Sequence, residues 1–92
     1  MKITDIIKKI DNFFIHMENK ESGYLTNCVN GDVFEINETT KLIFECCDGE
    51  KTIFGIYEFL KRNADITDFD VTEQDVLELA EFFVDNQICI LI

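Results

Sequence analysis

The side chains with the richest chemistry in this 92-residue chain are four cysteines, one histidine and nineteen carboxylates. Thiolates and imidazoles at suitable spacing hold zinc, and a nucleophile needs a base within reach. Cys28, Cys46, Cys47 and Cys89 form no Cys-x-x-Cys pair, and His16 is the sole imidazole, so no zinc-ligand spacing exists. Adjacent Cys46 and Cys47 on a helix cannot reach one metal without strain. The cysteines read instead as four reduced thiols packed as small buried hydrophobes. There is no Gly-rich phosphate loop, no HExxH, and no carboxylate whose neighbours mark it for acid–base work. The chain is therefore expected to have no catalytic residue, no metal site and no cofactor, and to be no enzyme.

Recognition is what the composition leaves. The formal net charge is −11, from 19 acidic and 8 basic residues. Duplex binding needs Lys and Arg to displace condensed counterions, so nucleic acid is disfavoured, as is an anionic membrane. A basic peptide or basic protein surface is attracted. Hydrophobic residues make up 47% of the chain and mean hydropathy is +0.02, enough for one core with apolar surface left over for a partner. No run approaches the roughly 18 to 20 apolar residues of a spanning helix, and Asp5, Lys8, Lys9 and Asp11 break any signal-peptide core, so a cytoplasmic location is expected.

The elements that would position a recognition site follow from periodicity. Ile3, Ile6, Ile7 and Ile10 fall at helical steps, which predicts a short helix near 3–11, followed by a strand near 13–18. Asn30-Gly31 suits a two-residue type I′ turn joining strands near 24–29 and 32–36. On the second of these, Phe34 and Ile36 share the core face, and Val33 and Glu35 the other. Asn37 caps a helix over NETTKLIFECC that Gly49 stops. A second helix begins after Thr52 with the stripe Ile53, Ile56, Tyr57 and Leu60, and fades at Asn63. ADITDFD is a polar connection in which Ile66 and Phe69 tuck inward. Thr72 and Asp75 open a third helix that runs to about Asn86, and QICILI closes the chain as a short strand or docked tail. The expected fold is one α+β domain, winged-helix-like, with a three-stranded antiparallel sheet followed by three helices.

The third helix carries most of the functional signal. At about 100° per residue, Val76, Leu77, Leu79, Ala80, Phe82, Phe83 and Val84 spread over an arc near 220°, twice what covering one core face requires. Leu79 and Phe82 lie on one flank, Leu77 and Val84 on the other. Either an incoming peptide covers a flank, or the C-terminal ICILI or a second subunit does. The exposed positions are Glu73, Asp75, Glu78, Glu81 and Asp85, with no Lys or Arg from Thr72 onward, which excludes a winged-helix reading of DNA.

GDVFEINETTKLIFECCDGEKTIFGIYEFLKRN, followed by TEQDVLELAEFFVDNQICIL, resembles the PqqD-like domains, the recognition elements of ribosomally made modified peptides. The positions that carry the likeness are Ile36-Asn37, Glu38-Thr39, Asp48-Gly49, Thr52 and Asp75 through Val84, within a match covering residues 24–90. Where relatives commonly place Gly after the third helix, this chain has Asn86-Gln87, and Asn86 is expected to take the left-handed cap. Residues 1–12 have no counterpart; they pack on the sheet as an extension or lie across the groove.

The resemblance implies a module that binds the leader segment of a precursor peptide and presents it to a modifying enzyme such as a radical-SAM maturase. The leader adds as an antiparallel strand, with backbone bonds giving affinity and side-chain pockets giving register. Carried onto this chain, the edge is Asp32, Val33, Phe34, Glu35 and Ile36, and the pocket wall comes from Val76, Leu79, Ala80 and Phe83. Two alternatives remain open: a homodimer through the third helix and C-terminal strand, and a redox sensor using Cys46-Cys47.

Overall fold

The first departure from the helical pattern comes at the N-terminus. The computed structural model, which describes residues 1–63 and 71–92, places β1 (Ile6–Lys9) where the isoleucine spacing predicts a helix. β1 is the middle strand of a three-stranded sheet, bonded antiparallel to β5 (Asp48–Thr52) on one side and β6 (Cys89–Leu91) on the other. Both partners lie far along the chain, and a strand held on both edges buries Ile7 completely. Ile6 and Ile7 are β-branched, which suits the pleat once those partners exist. The Ile3–Ile10 spacing was a coincidence of period. Residues 6–9 thus lie inside this sheet and not across a groove.

The second sheet has the order β2 (Phe13–Met17), β3 (Gly23–Asn27), β4 (Val33–Ile36), antiparallel throughout. It and the three helices are the α+β arrangement the sequence predicts. The hairpin turn differs. β3 closes on β4 through Asn27, whose N–H donates to the Asp32 carbonyl at 2.8 Å and whose carbonyl accepts from Gly31 N–H at 2.8 Å. Asn27 Oδ1 accepts from the N–H groups of Val29 and Asn30. Of the Asn30-Gly31 pair only Gly31 has positive φ, at 81°, so a wider loop replaces the two-residue type I′ turn. The Asn27 side chain decides this, because it offers the loop a competing acceptor.

α1 (Glu38–Glu45) starts at the N-cap Asn37, whose Oδ1 accepts Thr40 N–H at 2.8 Å. It ends at Cys46, ahead of Gly49, which sits instead within β5 at φ 80° with the Lys8 stem packed over it. α2 (Ile53–Asn63) begins where Thr52 Oγ1 accepts Gly55 N–H. Residues 64–70, with the expected inward Ile66 and Phe69, lie outside the described residues. α3 (Glu73–Asp85) opens on a reciprocal capping box: Thr72 Oγ1 accepts Asp75 N–H at 3.1 Å, and Asp75 Oδ2 accepts Thr72 N–H at 3.0 Å.

The end of α3 corrects the expected cap. Gln87 N–H donates to the Val84 carbonyl and Ile88 N–H to the Phe83 carbonyl, the paired bonds of a Schellman ending. Gln87, with φ 58°, occupies the left-handed position, and Asn86 does not. The fully buried Ile88 follows it into the core and leads the chain into β6. That core gathers Ile7, Leu25, Ile43, Ile53, Ile56 and Phe83, with Phe44 edge-on to Phe83 at 5.8 Å.

Candidate functional site

β4 is an edge strand, and its hydrogen-bond alternation determines what it offers. Because Asn27 bonds the Asp32 carbonyl, the main-chain groups of Phe34 and Ile36 face Leu25 and Gly23 in β3. The N–H and C=O groups of Val33 and Glu35 consequently point outward from the sheet. Their side chains occupy the face away from α3, and both are exposed. Phe34 and Ile36 point the other way; Ile36 is buried, and the Phe34 ring stands edge-on to Phe82 of α3 at 5.8 Å. Asp32 contributes nothing to the open edge, since its carbonyl bonds Asn27 and its N–H donates to Asn30 Oδ1 at 2.9 Å.

Beside this edge lies a cleft of about 430 Å³ between the start of α1 and one flank of α3. Asn37, Thr39 and Thr40 form one wall, and Asp75, Glu78, Leu79 and Phe82 the other, with Val71 at the end. Of the four helix residues assigned to the pocket wall from sequence, Leu79 alone lines it. Val76, Ala80 and Phe83 are fully buried in the core and unavailable to a ligand. The wide apolar arc of α3 is thereby resolved. Its centre is core, and Leu77 and Val84 are half-buried against that core on a helix that packs on both α2 and β6. The Leu79–Phe82 flank remains open, with Phe82 38% exposed.

Sequence reasoning found Phe82 on the correct flank but missed Thr39, Thr40 and Val71. Nothing in those residues announces a wall; they line the cleft because the Asn37 cap turns the chain from β4 into α1 beside the start of α3. Glu78 and Asp75 were legible as exposed acids. Asp75 commits one carboxylate oxygen to its capping box, whereas Glu78 Oε1 accepts from Gln74 Nε2 at 3.4 Å.

No group of three or more His, Cys, Asp and Glu side chains is placed to hold a metal among the described residues. The cysteines are not four buried thiols: Cys46, Cys47 and Cys89 are buried, but Cys28 is exposed in the β3–β4 loop. Burial raises the Cys46 thiol above its usual range, and a hydrogen bond with the Cys89 thiol, joined by burial, raises Cys47 further. Neither is poised as a thiolate. Away from the cleft, Lys51 Nζ sits 2.6 Å from Asp48 and, with the Lys51 and Glu50 N–H groups, holds that carboxyl well below the ordinary range. No helix among the described residues is long and apolar enough to cross a membrane.

Comparison with known proteins agrees with this architecture. In the solved structure of the heterocyclase TruD, a region similar in fold covers 96% of this chain at a TM-score of 0.63 and 15% identity, and the chain spans 12% of that protein's length. No curated protein matches the sequence. The family described as "Coenzyme PQQ synthesis protein D (PqqD)" matches residues 15–88, a stretch that runs from β2 through the helices to the end of the α3 cap. The chain belongs to the PqqD family.

Proposed function

We propose that this chain is a non-catalytic module that captures the leader segment of a ribosomally made precursor peptide by strand addition to β4. It then presents the remainder to a modifying enzyme, such as a radical-SAM maturase, in the cytoplasm. The observation that carries the reading is the outward main chain of Val33 and Glu35 beside the open Leu79–Phe82 flank. An added strand gains backbone bonds from the first and side-chain contacts from the second. Membership of the PqqD family, whose members are peptide-binding partners in the biosynthesis of modified peptides, supports it.

Amide hydrogen exchange tests it with the leader half of a precursor peptide encoded beside this gene. The Val33 and Glu35 amides exchange slowly once the peptide is bound and quickly without it. Unchanged exchange at both, with peptide in excess, overturns strand addition at this edge.

A second reading is favoured by β6. Cys89–Ile92 has no charged side chain, and Ile90, Leu91 and Ile92 are 49%, 52% and 65% exposed at a sheet edge. Such an edge pairs readily with a copy of itself, giving a homodimer. Sedimentation velocity separates the two, because a dimer that persists on dilution and ignores added leader favours the β6 reading.

A further inference from the structure

Assuming strand addition at β4, which this inference rests on, the geometry fixes which face of the leader meets which part of the cleft. Phe82 touches Phe34, while Asp75 at the opposite end of α3 lines the cleft with Asn37, so α3 runs antiparallel to β4. A leader antiparallel to β4 therefore runs alongside α3 in the same direction. Cross-strand partners share a face, so leader residues opposite Phe34 and Ile36 point into the cleft. Those opposite Val33 and Glu35 point away from it.

The environments of these four positions differ. Opposite Phe34, the inward residue lies over Leu79 and Phe82, both apolar. Opposite Ile36, two residues nearer the leader N-terminus, the inward residue reaches the stretch walled by Glu78 and Asp75. Among the described residues that line the cleft, these two are acids and none is a base. On the outer face, the residue opposite Glu35 meets an exposed carboxylate, and the one opposite Val33 meets an apolar side chain that is 57% exposed.

We propose that the leader this chain accepts carries, from its N-terminal side, two basic residues followed directly by two apolar ones. The first basic residue faces Glu78 and the second Glu35; the first apolar residue fills the Leu79–Phe82 wall and the second covers Val33. Charge here selects register and partner, since an acidic segment or a reversed order sets like charges together or buries a charge over Phe82.

Three short blocked peptides test this, alike in Ser/Thr flanks but with centres Lys-Arg-Leu-Ile, Leu-Ile-Lys-Arg and Glu-Asp-Leu-Ile. Binding is followed through the Val33 and Glu35 amide resonances at low salt, with wild-type protein and with Glu78→Lys and Glu78→Gln. Glu78 is exposed, so neither substitution threatens the fold. The first peptide is expected to bind about tenfold tighter than the other two, with the gap narrowing as salt rises. Glu78→Gln reduces that preference, and Glu78→Lys shifts it toward the acidic peptide. If all three move the two amides equally, the charge-and-order inference is overturned while strand addition stands. If none moves them, both fall.

Discussion

β4 and β6 are both free edges of antiparallel sheets, yet they offer different things. β4 exposes the main chain of Val33 and Glu35 next to a cleft with Asn37, Thr39 and Thr40 along one wall and Asp75, Glu78, Leu79 and Phe82 along the other. In β6, the alternation set by Ile92 N–H to the Ile6 carbonyl leaves the groups of Cys89 and Leu91 outward, on a strand with no charged side chain. An edge becomes selective through what lies beside it. Backbone groups are alike at every edge, so under the proposed strand addition β4 would owe its discrimination to α3 and the turn into α1, whereas the side chains of β6 are apolar. The remaining edge of the β6 sheet, β5, shows a third condition: Asp48, Glu50 and Lys51, with a register shift, discourage pairing altogether.

The largest difference between the two regions is chemical. A thiol reagent added to folded protein is expected to modify Cys28, in the loop leading to β4, and to leave Cys89 at the start of β6 untouched until the protein unfolds. Mass spectrometry after partial labelling reads the result; early labelling of Cys89 would show that the β6 edge opens.

Proline substitution then separates the edges functionally. Val33→Pro removes an outward donor and should weaken leader binding at least about tenfold with helical circular dichroism retained, whereas Leu91→Pro should leave binding unchanged. Equal losses would erase the distinction. Phe82→Ser removes two ring pairs, with Phe34 and with Phe83, each worth about 0.5–1.5 kcal/mol, and part of the cleft wall, so binding should fall several-fold at a moderate loss of stability. Smallest is Gln87→Gly, expected to raise unfolding stability by about 0.5–1 kcal/mol by relieving the left-handed residue that leads into β6, with leader affinity unaltered. Urea titration measures that gain, and a loss would mean that the Gln87 side chain contributes more than its backbone strain costs.

Legibility in the sequence tracked the range of the interactions. The Asn37 cap, the Thr72–Asp75 capping box and the Ile53–Ile56–Leu60 stripe are local, and each is found where periodicity and cap chemistry place it. Of the sheet β5-β1-β6 only the C-terminal strand was legible, as a short strand or docked tail, because β1 and β5 are short and become strands only when brought together with β6 from distant parts of the chain. At the site, the strand faces of Phe34 and Ile36 were readable from alternation. The division of α3 into core and open flank was not, because it depends on where β6 and α2 pack. Val76, Ala80 and Phe83 consequently went to the core, and Leu79 and Phe82 to the cleft.

We propose that β4, and not β6, receives the leader. An amide-resolved NMR titration of the full chain with the leader half of a precursor peptide encoded beside this gene tests it most directly. The expected result is shifts concentrated at Val33–Ile36 and along Leu79–Phe82, with Cys89–Ile92 unmoved. Shifts confined to Cys89–Ile92, or a folded spectrum that does not change at any ratio, would contradict it.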